Sequence, residues 1–240
     1  MKIFVIIPTY NEADTIGELI HALLALKHDL EILVIDDHSP DSTAQIVRNL
    51  TEKNSTIHLI ERPGKMGLGS AYRIGFQYAF EKRADVIFEM DGDFSHHPSY
   101  IPVMLEKLKE ADLVIGSRYI KGVSVVDWPM ARLLLSYYAN RWTRWMTAVP
   151  IQDMTSGFKG FRRDALLALD FSRIHSDGYS FQIEVNFFLH QKRFRLAEVP
   201  IIFTDRNIGV SKMSRKIVLE AIATVWRLFF ERLFQKSKDA

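Results

Sequence analysis

The stretch Val86-Ile87-Phe88, followed by Met90-Asp91-Gly92-Asp93-Phe94-Ser95-His96-His97-Pro98, decides how the rest of the chain is read. Three apolar residues in a row predict a buried strand, and the carboxylates arrive just past its carboxyl end. Two aspartates one residue apart form a hard-oxygen pair, which suits a divalent cation that keeps positions open for phosphate oxygens. Gly92 is expected to leave room for a ligand close to the backbone. Alone, such a pair is ordinary loop composition, because Asp favours turns. Its place after a strand, at the edge where open α/β sheets bind ligands, gives it weight. His96 and His97, next to Pro98, read as turn residues rather than metal ligands.

Working outward, the same alternation recurs. Residues 2–7, apolar from Ile3 onward, read as a strand buried on both faces, and Pro8-Thr9-Tyr10-Asn11-Glu12 ends it. Ile16, Leu19, Ile20, Leu23 and Leu26 then fall on one helical face. Residues 31–35 predict a second strand, which runs into Asp36-Asp37-His38-Ser39-Pro40-Asp41. A third strand covers 57–61. Arg62-Pro63-Gly64-Lys65-Met66-Gly67-Leu68-Gly69 follows, and a helix runs to about Lys82. The glycines at 64, 67 and 69 match neither dinucleotide nor P-loop spacing and are read as helix-start geometry. Strands near 85–90 and 112–116 flank a helix that begins after Pro98. This is the pattern of a doubly wound, mostly parallel α/β sheet.

Composition narrows the function classes. A chain of 240 residues with a net charge of +2 has no electrostatic case for nucleic-acid binding. The absence of cysteine removes disulfides, zinc–thiolate sites and thiol nucleophiles. The first residues are too short and too soon interrupted by Pro8 for a signal peptide. No run approaches the roughly 20 apolar residues of a spanning helix.

From Arg118 the pattern changes. Residues 131–147 predict a helix with Arg132, Ser136, Asn140, Thr143 and Thr147 along one stripe. Leu133, Leu134, Tyr137, Tyr138, Trp142, Trp145 and Met146 fill most of the rest. A second helix, from about Ser214 to Gln235, sets Glu220, Thr224, Arg227 and Glu231 against Val218, Ile222, Val225, Trp226, Phe229, Phe230 and Phe234. Either both helices are ordinary core, or they form an interfacial pair at lipid-headgroup depth. The breadth of the apolar faces favours membrane contact, with Trp142, Trp145 and Phe229 expected on the exposed surface. Between the helices, Asp153 to Phe161 suggests a strand, Phe181-Gln182-Ile183-Glu184 a helix, and Glu198 to Phe203 a further strand.

Together these segments resemble a family-2 glycosyltransferase of the GT-A fold, and more narrowly a polyprenyl (dolichyl) phosphate mannosyltransferase. The resemblance rests on Pro8-Thr9-Tyr10-Asn11-Glu12, Asp36 to Asp41, Lys65 to Gly69, Asp91 to Pro98, Gly116-Ser117-Arg118-Tyr119, Thr155-Ser156-Gly157-Phe158, Glu198-Val199-Pro200 and Ser211-Lys212. It covers roughly residues 3 to 213, and divides the chain into a GT-A domain at 1–213 and an amphipathic helix with its tail at 214–240.

The resemblance implies roles. Pro8, Tyr10 and Glu12 would cradle the nucleoside, with Ile35 and Asp37 against base and ribose. Asp91 and Asp93 would hold Mg²⁺ or Mn²⁺ on the diphosphate, with Gly92 at the nucleotide, and Arg206 and Lys212 would close over the phosphates. Arg118, Arg132 and Ser136 would receive the phosphate of the lipid acceptor, since arginine forks match phosphate geometry. Some relatives have a metal-holding glutamine at the position of Ser95; the shorter serine either ligates or leaves that place to water. The implied reaction is inverting transfer of mannose from GDP-mannose to a polyprenyl phosphate, by a peripheral protein on the cytoplasmic face of a membrane. Two other readings stand beside it: the same fold using UDP-glucose or another donor, and a non-catalytic, membrane-recruited subunit. The intact Asp91, Asp93, Arg206 and Lys212 speak against the latter. Docking would use the chain's own helices or a small membrane-anchoring subunit.

Overall fold

The apolar runs become strands because both faces of the sheet are covered. The structure, a computed structural model, describes residues 1–26, 28–204 and 215–236, and in the last segment the side chains from 218 to 234. The first half runs β1 (Ile3–Thr9), α1 (Ile16–Leu24), β2 (Leu30–Asp36), α2 (Thr43–Thr51), β3 (Ile57–Glu61), α3 (Leu68–Glu81), β4 (Val86–Glu89). There follow α4 (Ile101–Lys107), β5 (Leu113–Ser117), β6 (Val125–Val126), α5 (Met130–Thr147), β7 (Lys159–Arg162), α6 (Arg163–Leu167), α7 (Tyr179–Gln191), β8 (Leu196–Pro200), β9 (Phe203–Thr204) and α8 (Arg215–Lys236).

On β1, Phe4 and Ile6 enter one core with α3 and α7, while Ile3, Val5 and Ile7 enter the other with α1 and α4. Alternate side chains thus meet opposite layers, and nothing polar is tolerated between them. The main sheet has seven strands in the order β3-β2-β1-β4-β7-β5-β8. Only β7 is antiparallel, to both β4 and β5. The chain winds outward through β2 and β3, then returns to place β4 on the other side of β1. That reversal opens a crevice at the carboxyl ends of β1 and β4.

Two expected strands differ in extent. Strand geometry begins only at Lys159, because residues 153–158 bend around polar partners described below. The run from Glu198 divides into β8 and β9, and β9 leaves the main sheet to pair with β6.

The packing of α5 is inverted relative to the other helices on the sheet. Its buried residues are Asn140, Thr143, Met146 and Thr147. Its exposed ones include Leu134, Leu135, Tyr138 and Trp145, the last at 73 %. Helix α8 repeats the arrangement in part. Val225 and Leu228 are core, and Thr224 is buried, but Leu219, Trp226, Phe230 and Phe234 are exposed. The polar stripe of α8 grips the protein: Arg227 pairs with the fully buried Glu184 of α7, and Glu231 with Arg173. Trp142 and Phe229 correct the expectation, since both are partly buried against the core. At helical spacing they fall on the inner flank of the apolar arc. No helix among the described residues is long and apolar enough to cross a membrane.

Candidate active site

Three loops meet at the carboxyl ends of β1, β2 and β4. Each contains a non-glycine residue with positive φ: Asn11 at 61°, His38 at 56° and Phe94 at 61°. Such a conformation is costly and persists where surrounding contacts fix it. Those contacts are present. The amide of Asn11 donates to Ser39 Oγ (3.0 Å), that of Glu12 to Thr43 Oγ1 (3.0 Å), and that of Ala13 to Asp41 Oδ2 (3.1 Å). The first two loops are therefore stitched into one wall.

The adjacent aspartates of the second loop divide their work. Asp36 is fully buried and accepts from Thr9 Oγ1 (2.9 Å) and from the amide (2.8 Å) and hydroxyl (2.6 Å) of Ser39. It is a structural brace. Asp37 pairs with the buried Arg62 and accepts from the amide of Met66 (3.3 Å), which ties the glycine-bearing loop to the same wall. Arg62 also reaches Gly67 O (3.0 Å). Gly67, with φ of 95°, precedes the first turn of α3, as expected of helix-start geometry. Lys65 places its ammonium 4.3 Å from the ring centre of Tyr10. Pro8, Tyr10, Glu12 and Asp37 thus share one region. Ile35 does not join them by its side chain: it is fully buried in the core against α3.

In the β4 loop the carboxylate pair is preorganised. Asp93 Oδ1 accepts from both the amide (3.1 Å) and the hydroxyl (2.6 Å) of Ser95, so Ser95 stands behind Asp93 as its orienting partner. Asp91 keeps 35 % of its side chain exposed. Gly92 also answers a packing need. A Cβ there would lie 3.1 Å from Thr9 Cγ2, so the glycine lets the loop press against β1. Its carbonyl accepts from Thr15 Oγ1 (2.8 Å). His97 serves the turn, its Nδ1 accepting from the amide of Ser99 (3.2 Å). His96 is instead a buried wedge, stacked 5.2 Å from Phe158, with Nδ1 3.7 Å from Asp91 Oδ2. Burial pushes its pKa down, and the nearby carboxylates only partly oppose that.

A partly exposed Asp91 and a buried, oriented Asp93 suit Mg²⁺ or Mn²⁺, which use one or two protein carboxylates and fill the remaining positions with phosphate oxygens and water. The described residues hold no group of three possible ligands.

Beneath the loop lies a buried polar pair that sequence reasoning missed. Glu89 and Lys159 stand directly opposite on β4 and β7 and are fully buried. Burial raises the Glu89 pKa to about 7, and burial lowers that of Lys159 to about 8, each partly offset by the other's charge. Lys159 Nζ donates to Gln182 O at 3.0 Å.

A second cluster forms beyond β5. Arg118, 8 % exposed, donates through Nε (2.7 Å) and Nη2 (2.6 Å) to the two oxygens of Asp153, and through Nη2 to Thr155 Oγ1 (2.9 Å). Burial alone would lower its pKa, but the Asp153 carboxylate more than reverses this, so the guanidinium is permanently charged. Trp128 lies 5.5 Å from Arg118 and 4.1 Å from Arg132, so one indole gathers both cations. Ser136 accepts from Tyr119 Oη at 2.7 Å. The three residues expected at an acceptor phosphate are thus brought together. Asp153, which holds Arg118 from 35 residues away, carried no local signal. Arg206 and Lys212 lie outside the described residues.

Residues 4–169 match the family model for glycosyl transferase family 2. The chain belongs to that family. It is a family-2 glycosyltransferase, with the preorganised aspartate pair at the edge where such a sheet binds its ligand. Among curated relatives, the undecaprenyl-phosphate mannosyltransferase of Micrococcus luteus is 39% identical over 227 residues, 95% of this chain and 93% of that protein. The polyprenol monophosphomannose synthase of Mycolicibacterium smegmatis is also 39% identical, over 93% of this chain and 85% of that protein. Among solved structures, glucosyl-3-phosphoglycerate synthase from Mycobacterium tuberculosis, in complex with Mn²⁺, UDP-glucose and phosphoglyceric acid, superposes with a TM-score of 0.66. It covers 95% of this chain and 79% of that one at 18% identity, a likeness of fold alone.

Proposed function

We propose that this family-2 glycosyltransferase transfers mannose from GDP-mannose to a polyprenyl phosphate, of the dolichyl phosphate kind, at a membrane surface. The observation that carries the reading is the junction of a phosphate-suited cluster with an inverted helix. Arg118, Arg132 and Ser136 collect around Trp128 and Tyr119 at the start of α5, and the outward side of α5 is apolar. An acceptor that is both a phosphate and a lipid requires both features. The names of the Micrococcus and Mycolicibacterium relatives support the same sugar and acceptor class.

In this reading Pro8, Tyr10, Glu12 and Asp37 hold the nucleoside, with Ile35 acting as packing beneath them, while Gly92 brings the loop backbone to the diphosphate. When bound, Mg²⁺ or Mn²⁺ on Asp91 and Asp93 would offset the charge of the leaving diphosphate, with Ser95 orienting the second carboxylate. Arg206 and Lys212 would close over the phosphates. Asp153 fixes Arg118 in orientation, and Arg132 and Ser136, one turn apart on α5, complete the acceptor cradle. A phosphate monoester is already anionic near neutrality, its second pKa being about 6, so no general base is required. One acceptor oxygen bonds to the anomeric carbon as the bond to the diphosphate oxygen breaks, with inversion, and GDP departs. Alignment supplies most of the acceleration. The exposed apolar faces of α5 and α8 would hold the protein peripherally on the bilayer, alone or beside a small membrane-anchoring subunit.

Purified protein incubated with Mg²⁺ or Mn²⁺, phosphorylated polyprenol and a panel of nucleotide sugars tests the reading by mass spectrometry of the glycolipid. Mannolipid from GDP-mannose is expected. Glucolipid from UDP-glucose in its place would reassign the donor, and no transfer from any donor would refute the assignment.

A further inference from the structure

The reaction above leaves one concave surface of α5 unused. The carboxyl half of α5 and residues 148–152 border an open groove of about 580 Å³. Tyr119, Tyr137, Arg141, Arg144, Trp145 and Gln152 are among the residues that line it. Both arginines are exposed. Arg144 donates to the uncharged Gln152 Oε1 at 2.8 Å, and neither arginine forms an ion pair with a described residue. No Asp or Glu occurs anywhere in α5.

A pair of surface arginines is commonly just a solvated face. Three features argue for more. Arg141 and Arg144 are three residues apart, so their forks open onto the same side of the helix. They lie within the exposed apolar stripe of Leu134, Tyr138 and Trp145, where water is a poor neighbour for most of the surface. Arg144, in the last turn, also complements the negative end of the helix, but Arg141 lies a turn earlier, where that effect has faded. The stripe continues onto α8: Arg232 donates to Trp145 O (3.4 Å), next to the exposed Trp226 and Phe230. Cationic forks set among aromatic rings are the composition of a surface lying at headgroup depth.

We propose that this groove is a headgroup site, in which Arg141 and Arg144 take the phosphate of an anionic phospholipid of the bilayer. It adjoins the cradle for the polyprenyl phosphate at Arg118 and Arg132, with Tyr119 as the wall between them, and it rests on the reading of α5 and α8 as membrane-facing. Apolar side chains alone would bind any bilayer. The groove adds a preference for acidic lipid and sets α5 at a fixed depth, with the acceptor cradle at its other end.

The full chain is sedimented with vesicles of phosphatidylcholine alone and of phosphatidylcholine mixed with phosphatidylglycerol. Tight binding is expected only to the mixed vesicles. In R141Q/R144Q it should weaken by roughly 30-fold, about fivefold for each basic residue, approaching the level on neutral vesicles. Turnover of a short-chain acceptor in detergent-free solution should be unchanged, since neither arginine belongs to the acceptor cradle. A control of equal charge, K53Q/K192Q, removes two exposed lysines elsewhere and should bind as the wild type does. Equal loss in that control would reduce the effect to net charge and overturn the site. Wild-type protein that binds both vesicle types alike would overturn it too, while leaving membrane docking intact. Protein that binds neither vesicle would overturn the membrane-facing reading itself.

Discussion

Helices α1 and α5 divide their residues in opposite ways. In α1, Ile16, Leu19, Ile20 and Leu23 are fully buried, in the usual arrangement of a helix covering a sheet. In α5 the buried positions include Asn140, Thr143 and Thr147, and the exposed ones Leu134, Tyr138 and Trp145. An apolar stripe records only that a face avoids water; it does not say what covers that face. The inner side of α5 can be polar because its partners are waiting. Asn140 donates to Ser136 O (2.9 Å) and accepts from the amide of Met154 (2.7 Å), so no buried polar atom of its amide is stranded.

The contrast predicts an inversion of the common mutational rule, and this is where the largest effects are expected. Leu19→Ala in α1 should cost about 2–5 kcal/mol of stability, as a cavity in a packed core does. Asn140→Leu, although it adds apolar surface to a buried position, should cost about 1–3 kcal/mol by stranding the Met154 amide. Trp145→Ala, which removes an indole that is 73 % exposed, should change stability by no more than ~0.5 kcal/mol. Urea denaturation of the three variants checks the order. A Trp145→Ala loss equal to that of Leu19→Ala would mean that α5 is ordinary core.

The aspartate loop sharpens the same contrast on the functional side. Asp93→Ala should leave the fold intact, because loop carboxylates seldom support core stability. It should nonetheless lower turnover by at least ~10²-fold, the scale of losing one preorganised electrostatic contact. Near-normal metal-dependent turnover in a folded variant would remove Asp93 from the site. Smaller, and confined to one substrate, is the effect expected for the exposed aromatics. Trp145→Ser, Trp226→Ser and Phe230→Ser combined should raise the apparent KM for a long-chain acceptor on the order of tenfold. KM for the nucleotide sugar should stay unchanged, because its loops lie at the sheet edge. Equal rises for both substrates would argue against a membrane-facing role.

How far the molecule could be read in advance follows from the range of its signals. Strands β1, β2 and β4 announce themselves because both faces are buried and the pattern is local. The Asp36 to Asp41 and Asp91 to Pro98 loops stand out as a candidate site because each follows such a strand. The division of labour between Asp36, a buried brace, and Asp37, the partner of Arg62, was not legible. Identical adjacent residues are told apart here by partners that only the fold supplies, Thr9 and Ser39 for Asp36 and Arg62 for Asp37. Asp153 was equally silent, since its link to Arg118 spans 35 residues and exists only after β5 and the 153–158 loop are side by side. For α5 the breadth of the apolar arc was readable. The inward positions of Trp142 and Phe229 depended on neighbours that no periodicity reports.

The buried Glu89–Lys159 pair gives the smallest and most specific expectation. Glu89 is the last residue of β4, and the carboxylate of Asp91 begins the loop two residues on. Unlike Asp91, Glu89 is fully enclosed. In the unfolded chain it titrates near 4.5, whereas burial lifts it to about 7 in the folded protein. Below pH 4.5 the carboxyl is protonated in both states and has no linkage effect. Between about 4.5 and 7 the unfolded chain loses this proton while the folded protein retains it, so stability falls as pH rises; above 7 the loss is complete. Glu89→Gln removes that titration and keeps the shape. The melting temperature of the variant relative to wild type should therefore move upward from pH 5 to pH 8, with most of the change between pH 5 and pH 7. Lys159, whose own transition is centred at about 8 with Glu89's charge beside it, titrates lower in the variant, so the comparison rests on the low end of the window, from pH 5 to pH 6. A difference in melting temperature that is flat across the range, or that moves downward, would mean that Glu89 is ionised in the folded protein throughout and held by its lysine. Thermal melts of the two proteins in matched buffers at pH 5, 6, 7 and 8 distinguish these outcomes.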